Sequence, residues 1–124
     1  MANKNVCKTP RWRLLKSALN NLTAKQFLQA LEEEEVVIID VRRKDEYETV
    51  RIANAVHLDY FDYQFLEKIE ALDPSKTILV YCRSGRRSIR VCTLMKNGKF
   101  DADKVFNLEG GILDWMEQAY PVEK

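Results

Sequence analysis

The sequence predicts an α/β domain with a central parallel sheet of about four to five short strands and helices on both faces. Three features of the chain lead there. Uninterrupted apolar runs at residues 36–39 (Val, Val, Ile, Ile) and 77–81 (Thr, Ile, Leu, Val, Tyr) have the length and β-branched content of strands covered on both sides. Between such runs the apolar residues recur at helical spacing, so strands and helices alternate. Three strand ends then carry polar or glycine clusters: Asp40, Val41 and Arg42; Cys82 through Ser88; and Glu109, Gly110 and Gly111. In a parallel sheet these ends share one edge, where α/β proteins bind ligands.

Taken in order, residues 1–21 form a basic extension. Lys4, Lys8, Arg11, Arg13 and Lys16 have no acid beside them, and Trp12, Leu14, Leu15 and Leu19 supply apolar surface to pack on the domain. Five basic residues without a motif make no case for nucleic acid. The domain proper spans residues 22–124. Thr23 and Gln26 have capping-box spacing, and Phe27, Leu28 and Leu31 give the following helix its apolar stripe. Glu32 through Glu35 form its solvated end. After the strand at 36–39, Asp45 is positioned to cap a short helix. Ala55, Val56, His57 and Leu58 read as a short strand. Phe61, Phe65, Leu66, Ile69 and Leu72 mark a helix stopped by Asp73 and Pro74. A helix from near Arg86 carries Ile89, Cys92, Leu94 and Met95 and ends at Gly98, a candidate C′ glycine. Residues 104–108 supply another strand, and Ile112, Leu113, Trp115 and Met116 a last helix ending before Pro121.

Composition excludes several classes of function. A chain of 124 residues is one domain with a core that needs no staples. Its net charge of +1 argues for neither nucleic acid nor membrane, and no apolar run reaches the ~20 residues that span a bilayer. The N-terminal stretch lacks the apolar core of a secretory signal, so the expected location is cytoplasmic. Cys7, Cys82 and Cys92 are odd in number and show no CxxC spacing, and His57 is the only histidine. That disfavours a disulfide framework, a metal site and a Cys/His pair, and no metal or cofactor is expected. His57 reads as structural.

The chemistry is expected at residues 77–88. A buried strand stops at Cys82, and Arg83, Ser84, Gly85, Arg86, Arg87 and Ser88 lead into a helix. Thiolate is the nucleophilic form of cysteine, and arginines and a helix N-terminus both favour it. A curled loop turns successive N–H groups inward as an anion nest, and Gly85 allows the left-handed backbone such a curl requires. The guanidinium groups would attract a small anionic substrate.

With these residues in view, the chain resembles the rhodanese family of sulfurtransferases, its single-domain members in particular. The resemblance rests on Ile39, Asp40, Val41 and Arg42 with Glu46 and Tyr47; on residues 78–88; and on Leu108, Glu109, Gly110 and Gly111 with Trp115. It covers about residues 22–121, in the family's order. One segment departs: where the family has G-H-I-x-G-A, this chain has Val50, Arg51, Ile52, Ala53, Asn54 and Ala55. The turn geometry before the third strand is therefore left open.

The resemblance implies a rhodanese-type enzyme working without a cofactor. Cys82 would take the outer sulfur of a small anionic donor such as thiosulfate and pass it, as a persulfide, to a thiol or to cyanide. A thioredoxin-like or sulfur-relay protein could serve as the thiol acceptor. Arg83 and Arg86 are expected to recruit the donor, the backbone N–H groups from Arg83 through Ser84, Gly85, Arg86 and Arg87 to Ser88 to hold the persulfide's charge, and Arg87 and Ser88 to steady the loop and helix start. Asp40 is expected to tie down the loop, Arg42 to pair with Glu46, and Gly110 and Gly111 to support the site. Two other readings stand beside this one. A non-catalytic rhodanese-type binding module would keep the fold without turnover. A phosphatase or arsenate reductase of the same fold needs C-x5-R, whereas here the sixth position is Ser88 and Arg87 is the fifth. Cys92 reads as a core cysteine, with a resolving partner for Cys82 as the alternative.

Overall fold

The computed structural model describes residues 10–124, so Cys7 and the basic residues before Pro10 lie outside the described part. The chain opens with α1 (Arg11–Ser17), β1 (Asn20–Leu22) and α2 (Ala24–Ala30). Thr23 caps α2: its hydroxyl accepts from Gln26 N while the Gln26 side chain accepts from Thr23 N, the reciprocal pair its spacing predicts. β2 (Val36–Asp40) and α3 (Lys44–Thr49) follow, then the two-residue strands β3 (Arg51–Ile52) and β4 (Val56–His57). Arg43, not Asp45, is the N-cap of α3, and Glu46 accepts from its backbone N–H. α4 (Phe65–Glu70), β5 (Thr77–Tyr81) and α5 (Arg86–Lys96) come next. A 3-10 turn at Ala102–Lys104, β6 (Val105–Leu108), α6 (Gly111–Glu117) and β7 (Val122–Glu123) complete the chain.

Five strands form one parallel sheet in the order β1-β6-β5-β2-β4. β5 and β2 lie inside it, which is why their apolar runs are unbroken. Alternate residues serve opposite faces. Ile39, Ile78 and Val80 join Phe65, Ile69, Cys92 and Met95 on one side, while Ile38, Leu79 and Tyr81 join Phe27, Ile112 and Trp115 on the other. Helices thus cover both faces. Fully burying each such side chain contributes about 1.5–3 kcal/mol. Among the described residues, no helix is long and apolar enough to cross a membrane.

Two further features differ from the sequence-based expectation. β1 pairs in parallel with β6, so Asn20 and Asn21 belong to the sheet although the expected domain boundary falls after residue 21. β3 and β7 form a separate antiparallel ribbon, Arg51 opposite Glu123 and Ile52 opposite Val122. That ribbon accommodates the segment where the chain departs from the family pattern. Asn54 takes the place of a glycine and adopts φ 69°, a left-handed conformation that asparagine tolerates better than most residues. Val50 is extended at φ −161°, so no glycine is needed there. Arg51 lies over the Tyr47 ring at 4.7 Å and 3.7 Å from Glu123.

Candidate active site

Parallel pairing brings the three polar strand ends to one edge. Asp40 stands opposite Tyr81 across β2 and β5, and Val80 opposite Asn107 across β5 and β6. Cys82 is the first residue beyond β5 and is 2% exposed. Its Sγ lies 3.2 Å from Gly85 N, 3.4 Å from Ser88 N and 3.5 Å from Ser88 Oγ. Two backbone N–H groups thus point at the sulfur from the first turn of α5 and the loop before it. An anion at this position meets donors that need no rearrangement.

Two glycines make this curl possible. Gly85 has φ 93°, and a Cβ there would overlap the Glu109 carbonyl. Gly111 has φ 64°, and a Cβ there would overlap the Arg83 carbonyl. The turn after β6 therefore packs directly on the cysteine loop. Ile112 N donates to Cys82 O at 2.9 Å and Leu113 N to Arg83 O at 3.2 Å, so the start of α6 satisfies the loop's carbonyls. Gly110 caps α6 in an ordinary conformation, φ −92°.

The loop's arginines have different surroundings. Arg83 is exposed and makes no ion pair among the described residues. A cleft of about 260 Å³ opens beside it between α3 and α6. Arg86, also exposed, lies over the Trp12 ring at 4.4 Å. Arg87 packs over Phe61 at 5.1 Å and reaches Glu46 at 3.5 Å, joining the loop to α3. Ser84 is exposed at the tip, and Ser88 is fully buried. A bigger groove of about 570 Å³ lies by the start of β2, at the strands' other end, away from the sulfur.

Asp40 and Arg42 depart from their expected roles. Arg42 does not pair with Glu46; it forks onto Asp40, with Nε 3.1 Å from both carboxylate oxygens and Nη2 2.8 Å from Oδ2. Nη2 also donates to Val50 O. Asp40 does not tie down the cysteine loop. It accepts from Arg42 N at 2.9 Å and from Tyr81 Oη at 2.6 Å, locking β2 to β5 from within. Burial alone would lower the Arg42 pKa; the hydrogen bonds and charge of Asp40 outweigh it, and the guanidinium holds its proton more tightly than a free one. Burial, then the charge and hydrogen bond of Asp40, push the Tyr81 phenol up. His57 is structural: its Nε2 lies 2.7 Å from Arg42 O and its ring stacks on Tyr47 at 4.5 Å.

Ser88 is legible in the sequence as part of the loop; the part played by the asparagines behind it, Asn107 and Asn21, is not. Ser88 Oγ donates to Asn107 Oδ1 at 2.6 Å, and Asn107 Nδ2 donates to Asn21 Oδ1 at 3.0 Å. Asn107 is 1% exposed. An asparagine inside an otherwise apolar strand run was the available signal. Cys92 is free and buried, with its sulfur 3.8 Å from Phe106 O, and burial pushes its thiol up, with Cys82 adding to the effect.

Residues 23–118 match the family model described as Rhodanese-like domain. The chain belongs to the rhodanese-like domain family. Among its rhodanese-like relatives, the Bacillus subtilis (strain 168) protein YtwF is 38% identical over 89 residues, covering 72% of this chain and 82% of that protein. Thiosulfate sulfurtransferase GlpE of Coxiella burnetii is 37% identical over 87 residues, 70% of this chain and 78% of the enzyme. A rhodanese-related protein from Thermoplasma volcanium superposes with a TM-score of 0.73 at 25% identity, covering 84% of this chain and 97% of that one. The relatives support rhodanese-type sulfur transfer at the level of the family.

Proposed function

We propose that this protein is a sulfurtransferase that carries sulfane sulfur on Cys82. The observation behind this reading is the pair of backbone N–H groups, from Gly85 and Ser88, directed at the Cys82 sulfur within a loop of three arginines. In the first displacement the Cys82 thiolate attacks the outer sulfur of thiosulfate. The bond between the two donor sulfurs breaks, sulfite leaves with its electron pair, and a persulfide remains. In the second, an acceptor thiolate or cyanide attacks the outer sulfur and Cys82 leaves as thiolate. The N–H groups would hold the persulfide's charge near where it forms, without rearrangement. Arg83 is the loop guanidinium best placed to receive the donor, being exposed and without an ion pair among the described residues.

A persulfide donor would use the same site, and a small thiol or a thioredoxin-like or sulfur-relay protein would fit as acceptor. Covalent transfer of this kind predicts ping-pong kinetics. Initial rates of thiocyanate formation from thiosulfate and cyanide should give parallel double-reciprocal lines and vanish in Cys82→Ser. Intersecting lines, or turnover that survives Cys82→Ser, would exclude a Cys82 carrier. No turnover with any thiol or cyanide would favour the binding-module reading.

A further inference from the structure

The hydrogen bonds behind Cys82 continue well beyond its loop. Ser88 Oγ stands 3.5 Å from Cys82 Sγ and 2.6 Å from Asn107 Oδ1. Asn107 Nδ2 donates to Asn21 Oδ1 at 3.0 Å. Asn21 Nδ2 donates in turn to Lys16 O at 2.9 Å and Leu19 O at 3.3 Å. A polar line therefore runs from the sulfur, through buried Ser88 and Asn107, to the junction of α1 and β1. Lys16, Leu19 and Asn21 all precede residue 23, where the match to the family begins.

This line has a fixed direction. Asn21 faces two backbone carbonyls, which can only accept, so its nitrogen points at them and its oxygen at Asn107. Asn107 must then turn its nitrogen to Asn21 and its oxygen to Ser88. Ser88 has a single hydroxyl proton, and the Asn107 oxygen takes it. A lone pair is what remains to face Cys82. Ser88 can accept from the S–H of Cys82 but has no proton to offer a thiolate.

We propose that Asn107 and Asn21 are positioning residues that hold the Ser88 hydroxyl as an acceptor toward Cys82, so that the α1–β1 segment sets how much of the nucleophile stands as thiolate. The proposal rests on Cys82 being the reacting atom, not on what it reacts with. A thiolate here keeps the N–H groups of Gly85 and Ser88; to gain the hydroxyl as well, Ser88 must break its 2.6 Å bond to Asn107. The charged and titratable groups around the loop are Arg83, Arg86 and Arg87, Glu46 on α3, Glu109 after β6 with Lys16 of α1 at 3.0 Å, Asp40 with Arg42 at the end of β2, the Tyr81 phenol on β5 and the Cys92 thiol on α5. Substitutions at positions 21 and 107 change none of them, so the effect of the hydroxyl can be read separately from the surrounding field.

Asn107→Leu is close in size and removes the acceptor, leaving the sulfur as the partner for the Ser88 proton. At neutral pH the ultraviolet thiolate absorbance should rise by up to roughly tenfold for one hydrogen bond to a charged group, and alkylation of the Cys82 peptide by iodoacetamide by about threefold, because a better-stabilised thiolate is a weaker nucleophile. In a Ser88→Ala background the same substitution should change neither. Asn21→Leu leaves Asn107 in place but frees its amide to turn, and should produce a rise of the same sign even if Asn107→Leu does not fold. Unchanged or slower alkylation in the folded asparagine variants would overturn the proposal, as would a rise that persists without the Ser88 hydroxyl. Alkylation needs no sulfur donor, so its outcome is independent of whether the protein transfers sulfur.

Discussion

Replacing Arg42 by methionine keeps the length of the side chain and removes its fork on Asp40. The carboxylate is fully buried and the Arg42 side chain is 4% exposed, so water cannot take the guanidinium's place. Asp40 would keep two donors, Arg42 N and Tyr81 Oη, and lose the three contacts from Nε and Nη2. Val50 O would lose its partner as well. Breaking one side of a buried ion pair costs about 3–5 kcal/mol, a large part of the roughly 5–15 kcal/mol that holds a domain together. With a urea m-value near 2 kcal/mol per molar, the midpoint should fall by about 2 M. Adding Asp40→Asn should recover part of the loss, because the uncompensated charge is gone while an acceptor for Tyr81 remains. Urea unfolding followed by tryptophan fluorescence reads both. A loss below about 1 kcal/mol for Arg42→Met, the scale of an exposed ion pair, would refute the view that the buried Asp40 charge depends on this guanidinium.

Other outcomes follow from the same geometry. Gly111→Ala forces a methyl group into the Arg83 carbonyl at φ 64°, so it should lower stability by at least about 1–2 kcal/mol and sharply reduce turnover; wild-type kinetics would show that the α6 turn does not shape the cysteine loop. Asn54→Ala should cost about 1 kcal/mol at its left-handed position, whereas Asn54→Gly should be near neutral, checked by thermal melts. Cys92 keeps its proton in the folded chain above the roughly 8.5 at which an exposed thiol ionises, so the unfolded chain loses that proton first as pH rises. Stability should therefore fall above about pH 8.5, by up to ~1.4 kcal/mol per pH unit for this group, and Cys92→Ala should flatten the slope; an unchanged slope in that variant would remove Cys92 as its source.

Legibility of the sequence tracked how locally each feature is determined. The strands at 36–40 and 77–81 were readable because both are buried on two faces and so are apolar throughout. The cysteine loop was readable because its curl requires glycine at 85 and its arginines lie within a few residues of the sulfur. Thr23 with Gln26 was readable because a capping box is complete within four residues. The Arg42–Glu46 pair that the resemblance implies does not form, because Arg42 precedes α3 and a separation of four brings side chains together only within one helix. Asp40, two residues away and at the end of a strand, took the guanidinium instead. β1 was invisible because three residues carry too little pattern, and its partner β6 lies more than 80 residues along the chain. The β3–β7 ribbon exists for the same kind of reason, as a tertiary pairing of two-residue strands. Asn107 stands out as a polar residue inside an apolar strand, but Asn21 is not legible as its partner until the β1–β6 pairing sets the two opposite each other.

Intact mass of the reduced protein after incubation with thiosulfate and removal of excess reagent tests the central claim most directly. A Cys82 sulfur carrier gains one sulfur atom, located on the Cys82 peptide, absent in Cys82→Ser and discharged by cyanide or a thiol. A fully reduced protein that gains no sulfur, or one that gains it equally in Cys82→Ser, would contradict that claim.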